Sequence, residues 1–242
     1  MSYLWVGLIA LLGSMLQTAT GFGFAIVTMA LWPFIIPFKE AAAVEVFSAF
    51  VMVIYISIKL RKHINFKLLL YPTISSLITG ILGVFVLVSS KDAILSRVLG
   101  AALFLMSIYF FFFSEKIRIK PTPLKGLLAG AISGVLNGLF NIGGPPMVVY
   151  FLSSTDDKLE YNATIQFYFT LSAISVLGMH LAMGNVSLDI AKFSLASAGG
   201  LVLGVLGGMY LFKKFSIHTI KKAVYQAMAV FGLMLLIVGN GR

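Results

Sequence analysis

Polar residues and glycines interrupt two long apolar stretches of this sequence, at residues 17–23 and again at residues 137–146. Glycine lets the backbone leave a helical path at each of these two breaks. A helix that restarts there has free N–H groups and the positive end of its dipole, which together suit a small anion. The candidate binding residues are Gln17, Thr18, Thr20, Gly21 and Gly23 in the first break and Asn137, Asn141, Gly143, Gly144 and Pro145 in the second.

Close helix packing is the alternative interpretation of the break glycines. Packing glycines recur at helical spacing inside intact membrane helices. The break glycines instead cluster with amides and, in the second break, with Pro145 and Pro146, which suit a first helical turn because its N–H groups have no acceptor. A binding role is therefore favoured for the breaks. Packing is predicted for Gly80, Gly83, Gly199, Gly200, Gly204, Gly207 and Gly208.

The stretches that carry the breaks belong to a strongly apolar chain. Its 242 residues are 60% hydrophobic and 11% charged, with a mean hydropathy of +1.01, whereas soluble domains have about 25% charged residues. The stretches lack the alternation of barrel strands, so we predict an all-α integral membrane protein. They cover residues 4–38, 41–58, 68–90, 93–114, 124–153, 161–183, 188–212 and 217–239.

The sequence repeats itself at an offset of 120 residues, which holds across three helices and slips to 125 in the last helix of each half. We predict two homologous halves, residues 1–119 and 120–242, within one membrane domain. Each half has one broken or re-entrant stretch and three transmembrane helices. The matching pairs are Gln17 with Asn137, Gly23 with Gly143, Glu40 with Glu160, Phe47 with Phe167, Asn65 with Asn185 and Gly80 with Gly200.

The basic residues discriminate between kinked full spans and re-entrant hairpins at the breaks. If all eight stretches cross the membrane, Lys and Arg divide 10 to 8 between the two faces, a division that does not predict the orientation of the protein in the membrane. If both broken stretches enter and leave on one face, the division is 13 to 5, as the positive-inside rule requires. Hairpins are thus favoured over kinked spans. They predict inverted-topology repeats with both termini on the outer face of a prokaryotic plasma membrane.

Glu45 is the strongest candidate for a coupling-ion site. It lies well inside an apolar stretch, on the same helical face as Ser48 and Met52, and a charged group there costs about 2.5 to 3.5 kcal/mol on insertion scales. We predict that it binds a coupling proton or cation. The alternative is a solvated position near the interface or a pair with Lys39. For His180, an interfacial position is favoured over a proton relay.

Other charged and polar residues exclude several functions. Glu40 and Glu160 start helices, where a carboxylate complements the dipole. The net charge of +10 resides in short loops, where cytoplasmic retention and anionic lipids account for it, so nucleic acid is not expected. Cysteine is absent, and His63, His180 and His218 are scattered without a His-Glu-x-x-His motif. We therefore predict no metal site, no cofactor and no catalytic residues.

Two motifs resemble the sulfite exporter TauE/SafE family of membrane permeases. Residues 127–134, LLAGAISG, lead into residues 141–150, NIGGPPMVVY, which look like the second-half signature of that family. Residues 21–24, GFGF, look like a degenerate first-half copy, with Phe24 in place of a further glycine. The resemblance covers nearly the whole chain. It implies transport of small sulfur-containing or carboxylate anions such as sulfite, sulfoacetate or related sulfonates.

These predictions describe a secondary transporter that holds a small anion near the middle of the membrane, between the two breaks, and exposes it to each side in turn. The expected partners are the anion, membrane lipids and a coupling proton or cation. An anion channel or facilitator has most of the same sequence features and remains the alternative, while a membrane-embedded enzyme is less favoured. The anion, the direction, the coupling ion and the oligomeric state stay open.

Overall fold

A computed structural model of the protein describes residues 1–113, 120–214 and 217–238, without the side chains at 19–20, 113, 211–214, 217–221 and 223–224. Within those residues the secondary structure consists of ten α-helices and two short 3₁₀ turns, Trp32–Phe34 and Arg61–His63. The helices are α1 Ser2–Thr20, α2 Phe24–Leu31, α3 Phe38–Lys59, α4 Phe66–Ser89, α5 Asp92–Phe113, α6 Pro123–Phe140, α7 Gly144–Leu152, α8 Lys158–Ala182, α9 Leu188–Lys214 and α10 Ile217–Val238.

Six of the described helices are long and apolar enough to cross a membrane: α3, α4, α5, α6, α8 and α9. Their outward surfaces carry large apolar side chains such as Leu195, Leu203 and Ile78, each more than half exposed. Water would disfavour such surfaces, whereas lipid solvates them. The prediction of an all-α membrane protein is confirmed. Five of these spans are uninterrupted stretches of the sequence, and the sixth, α6, is the first part of the second broken stretch.

Carboxylates stabilise the starts of several helices. Glu40 and Glu160 lie in the first turns of α3 and α8, as predicted for groups that complement the dipole. The capping hydrogen bonds come from other residues. At the start of α8, the side chain of Asp157 accepts two backbone N–H groups. In the same way, Asp92 Oδ2 accepts the N–H of Phe38 at 2.8 Å. Glu160 instead accepts a hydrogen bond from the side chain of a residue before α4, Asn65, at 2.9 Å.

One compact unit of the chain comprises Met1–Ser48, Ser89–Ser114 and Asn185–Arg242. Within it α1 packs along α9, and α5 packs along α10. Glycines allow both helix pairs to pack closely, because a Cβ on a glycine at either contact would meet the backbone of the facing helix. The facing positions of α1 and α9 advance together, so these two helices run parallel. They are Gly7 with Gly200, Leu11 with Gly204 and Met15 with Gly208.

The packing prediction is therefore confirmed for Gly200, Gly204 and Gly208, and it is wrong for Gly199. A Cβ on Gly199 would meet no atom within 4 Å, whereas a Cβ on its neighbour Gly200 would collide with the carbonyl of Gly7. Adjacent positions on a helix point in different directions. Composition alone does not distinguish the two glycines.

The second compact unit comprises Ala49–Val88 and Glu115–Gly184, and it contains α4, α6, α7, α8 and the end of α3. Here α4 and α6 run parallel in close contact, again through glycines. The end of α3 is joined to α8 by a hydrogen bond between Ser57 Oγ and Thr170 Oγ1 at 2.9 Å. The facing positions of α4 and α6 are Pro72 with Gly130, Ser76 with Gly134 and Gly83 with Gly138.

Each unit combines helices from both halves of the sequence. α1 of the first half packs on α9 of the second, and α6 of the second half packs on α4 of the first. Under the offset of 120 residues these are equivalent helix pairs, as a duplicated chain would form. The division into homologous halves at residues 1–119 and 120–242 remains a prediction from the sequence.

Candidate functional site

The first break is a glycine turn between α1 and α2. Helix α1 ends at Thr20, and Gly21 follows in the left-handed conformation with φ of +86°, donating its N–H to the carbonyl of Gln17 at 2.7 Å. Gly23 has φ of +121°, and α2 begins at Phe24. Residues with a Cβ rarely adopt such angles, which explains why glycine stands at both positions.

Gln17 holds the start of α2 from within α1. Its buried side-chain carbonyl Oε1 accepts the backbone N–H of Phe24 at 3.0 Å. The first N–H of α2 is therefore already bonded, and the N–H groups of Ala25 and Ile26 are the ones in its first turn that have no acceptor within the helix. Thr18 lies against Gly208 of α9. The side chain of Thr20 lies outside the described residues.

Helix α2 folds back along α1. The indole Nε1 of Trp32 donates to the carbonyl of Val6 at 3.3 Å, although 26 residues separate them. In a kinked but continuous helix the two residues would be about 39 Å apart at 1.5 Å per residue. Gly13 of α1 also lies against Phe24, the first residue of α2. The first broken stretch is thus a hairpin rather than a kinked span.

The second break has the same helix end at the equivalent position. Asn141 is in the left-handed conformation with φ of +58°, and its N–H donates to the carbonyl of Asn137 at 2.8 Å. Among the described residues it is the only one besides glycines with positive φ. Asparagine tolerates this conformation better than other residues with a Cβ. Gly21 and Asn141, 120 positions apart, therefore end α1 and α6 in the same way.

Helix α7 also folds back on the helix before it. The hydroxyl of Tyr150, near the end of α7, lies against Gly126, near the start of α6. Gly143 has an ordinary φ of −77°, so its glycine is required by space. A Cβ there would lie 2.8 Å from Ser133 Oγ and 2.9 Å from Asn137 Cβ. Both broken stretches are hairpins, which removes the alternative of kinked full spans.

The two hairpin tips offer different sets of backbone donors. Pro145 and Pro146 have no N–H, so Gly144 supplies the donor within the first three residues of α7. The predicted role of Pro145 is thereby limited to shaping the turn and to contact through its ring or carbonyl. The amide side chains of Asn137 and Asn141 are half-buried beside this tip. Since neither break contains a charged side chain, an anion there would meet neutral donors and helix dipoles.

Glu45 lies in α3 with only 3% of its surface exposed. Ser48 and Met52 are also buried, which agrees with the predicted common face. The Glu45 carboxylate makes no hydrogen bond or ion pair with the described residues, so the alternative pair with Lys39 is not formed there. An uncompensated carboxyl group inside a membrane helix is costly and is typical of ion-binding positions.

Comparison with known proteins decides the family. The sequence matches the family model described as Sulfite exporter TauE/SafE over residues 6–235. The chain belongs to this family. A TauE/SafE relative from Cupriavidus necator, described as a probable sulfite/organosulfonate exporter TauE, is 23% identical over 249 aligned positions. The alignment covers 96% of this chain and 93% of the relative. No solved structure matches the chain.

Family membership confirms the resemblance that the motifs at residues 21–24 and 127–150 predicted. It also confirms that this TauE/SafE chain is a transport protein with membrane-spanning helices. The family is named for export rather than for catalysis, in agreement with the absence of a catalytic motif in the sequence.

Sequence reasoning missed a buried group of hydroxyls beside the second break of this TauE/SafE chain. Tyr168 of α8 contacts Ser76 of α4 and Ser133 of α6, and Ser133 donates a hydrogen bond to the carbonyl of Gly143. No motif marks these residues, because each is a single polar group in an apolar stretch. His180, in the last turn of α8, is fully buried within the protein, and neither ring nitrogen bonds to a described residue. Its interfacial position stays a prediction.

Proposed function

We propose that this TauE/SafE chain is a secondary transporter of a small sulfur-containing anion, sulfite or an organosulfonate, in the plasma membrane of a prokaryote. The observation that carries the proposal is the pair of hairpins, each turned by a left-handed residue at the end of its first helix, in a chain of this family. Irregular backbone at membrane depth persists only where it is buried in protein or lines a watery cavity. The name of the C. necator relative supports the substrate class and makes export the expected direction.

The residues that we propose to bind the anion lie at the hairpin tips, near the middle of the membrane. The first tip supplies the N–H groups of Ala25 and Ile26, and the second supplies that of Gly144 with the amides of Asn137 and Asn141. Such donors suit a small anion, because free N–H groups and the positive end of a helix dipole both favour negative charge. Alternating access then exposes the site to one side of the membrane at a time.

The proposed topology is inverted. A hairpin that returns to its own side, followed by three spans, places the start of the second half on the opposite side of the membrane. Helices α2 and α7 have eight and nine residues, or about 12 and 14 Å, too short for a hydrocarbon core of about 30 Å. The charge division of 13 to 5 supports an orientation with both termini outside.

The proposed driving force is an ion gradient. The sequence contains no Gly-x-x-x-x-Gly-Lys-Ser/Thr motif for nucleotide binding. Glu45 offers a buried carboxyl group that can take up a proton or a cation and release it when the site changes side. A carboxylate without a protein partner is suited to this exchange, since no ion pair has to be broken.

Thermal unfolding of the purified protein tests the substrate class. Sulfite, sulfoacetate, taurine, thiosulfate and acetate are added singly, with chloride at equal ionic strength as control. A ligand present at 100 times its Kd stabilises the native state by about 2.7 kcal/mol. We expect sulfite or a sulfonate to raise the unfolding temperature above the chloride control. If none of the five anions does so, the proposed substrate class is wrong.

A further inference from the structure

A chain of hydrogen-bonded hydroxyls connects two transmembrane helices to the tip of the second hairpin. The hydroxyl oxygen of Tyr168 lies 2.6 Å from Ser76 Oγ and 2.8 Å from Ser133 Oγ. Ser133 Oγ in turn donates to the backbone carbonyl of Gly143. The residues come from α4, α6 and α8, and the chain ends on the residue that precedes α7.

The number of protons fixes the direction of this chain. Each hydroxyl has a single proton to donate. Ser133 uses its proton on the carbonyl of Gly143, so it must accept from Tyr168. Tyr168 has then used its own proton, and Ser76 must donate to it. The order is Ser76 to Tyr168 to Ser133 to the Gly143 carbonyl, and the removal of the Tyr168 hydroxyl takes the acceptor from Ser76 and the donor from Ser133.

These side chains are closed off from any transported anion. Ser133 is fully buried, Tyr168 is 1% exposed and Ser76 is 3% exposed. The Tyr168 hydroxyl already makes two hydrogen bonds, one as donor and one as acceptor. In such a low-dielectric environment the bonds are strong, and an unpaired member is costly. A functional effect of Tyr168 must therefore be transmitted through Ser133 and Gly143.

Among the residues that the structure describes, this support is found at the second tip. Under the offset of 120 residues, the equivalents of Ser133, Tyr168 and Ser76 are Gly13, Ser48 and Ala196, which cannot form the same chain. The first tip is instead held by the bond from Phe24 N–H to Gln17. The hydroxyl chain is thus specific to the second hairpin.

We propose that Tyr168 and Ser133 are positioning residues for substrate binding at the second tip. They hold the carbonyl of Gly143, and thereby orient the adjacent N–H of Gly144 and the turn at Asn141. The proposal rests on the proposed function, because it assigns these residues to the same anion site. When the tip is less well held, a smaller fraction of the protein is competent to bind, and the apparent affinity falls in proportion.

Transport kinetics in proteoliposomes test the proposal. Saturable uptake of ³⁵S-sulfite is measured for wild type, Tyr168→Phe, Ser133→Ala and the double variant. Tyr55→Phe is the matched control, because it removes the same hydroxyl from a side chain that is 64% exposed. We expect each single variant to raise the KM for sulfite about 3- to 10-fold, with an unchanged maximal rate. The double variant should raise the KM no more than the single variant with the larger effect, since both substitutions break the same chain.

A second measurement separates this proposal from the proposed function. Backbone hydrogen exchange in residues 137–152 should accelerate in Tyr168→Phe and stay at the wild-type rate in Tyr55→Phe, whichever anion is transported. If wild type transports sulfite and the KM of Tyr168→Phe equals that of wild type, the positioning role is wrong, even where stability falls. If wild type does not transport sulfite, unchanged exchange overturns the positioning role, while accelerated exchange supports it and leaves only the substrate assignment wrong.

Discussion

Gly21 and Asn141 end α1 and α6 in the same left-handed conformation, and they are the two residue types that adopt it at the lowest cost. The glycines of the two tips differ in the space that a Cβ would have. A Cβ on Gly21 would meet no atom within 4 Å, so only the backbone conformation restricts that position. Gly143 has an ordinary conformation but no space for a Cβ. Glycines at the two hairpin tips are therefore required for separate physical reasons.

Gly21→Asn should preserve stability, because asparagine fits the turn and the space is open. Gly21→Ala should lower the free energy of unfolding by about 1 to 2 kcal/mol, the cost of the left-handed conformation for a residue with a Cβ. Thermal unfolding followed by the fluorescence of Trp5 and Trp32 measures both variants. Equal losses in the two variants would show that the conformation of Gly21 is not what requires glycine there.

Glu45→Gln should uncouple transport from its driving gradient. The amide fills the same volume but takes up neither a proton nor a cation. Sulfite accumulation under imposed proton or sodium gradients should be lost, whereas exchange of sulfite across the membrane at equal concentrations should continue. Glu40→Gln, in the first turn of the same helix, is the control and should retain both activities. Gradient-driven accumulation by Glu45→Gln would remove Glu45 from the coupling mechanism.

At the scale of the elements, the breaks were predictable and their folding back was not. Glycine next to amides and prolines marks the positions where α1 and α6 end, and the structure has the turns there. The folding back of α2 along α1 brings Trp32 into contact with Val6, and no local sequence pattern encodes a contact between residues 26 positions apart. The charge division favoured hairpins because loops carry topology information that the helices do not.

Single side chains at the site were less predictable than the elements that carry them. Gln17 was predicted to bind the anion because its side chain is polar. In the structure its side-chain carbonyl oxygen accepts the N–H of Phe24, the first residue of α2, which has no acceptor within the helix. Tyr168 was missed because a lone tyrosine in an apolar stretch ordinarily packs or faces lipid. The burial of Glu45 on one face with Ser48 and Met52 was predictable, since the helical period defines that face, whereas its role in coupling stays a prediction.

Gly200→Ala should destabilise the contact of α1 with α9, since its Cβ collides with the Gly7 carbonyl. A loss of about 1 to 3 kcal/mol is typical of overpacking. Gly199→Ala, one residue away in open space, should be neutral or should stabilise the helix by up to about 1 kcal/mol. Thermal unfolding compares the pair. If both variants lost the same stability, close packing at Gly200 would not be the cause.

At the scale of the whole molecule, the proposed inverted topology predicts the position of the C-terminus. Two hairpins and six crossings, by α3, α4, α5, α8, α9 and α10, put both termini on one face, and the 13 to 5 division of basic residues favours the outer face, whereas eight crossings would divide these residues 10 to 8. Alkaline phosphatase, active outside, and green fluorescent protein, fluorescent inside, are each fused after Arg242. Phosphatase activity without fluorescence is expected. Fluorescence with an inactive phosphatase would contradict the inverted arrangement.

Counterflow of sulfite through proteoliposomes tests the central claim most directly, since it reports a carrier with a binding site and needs no assumption about coupling. Vesicles loaded with unlabelled sulfite should accumulate external ³⁵S-sulfite transiently and saturably through the wild-type protein. Asn141→Gly keeps the turn conformation but removes the amide, so it should raise the KM for sulfite at least about tenfold without loss of the folded protein. Flux that rises linearly with sulfite, shows no counterflow and is the same in Asn141→Gly would contradict the account.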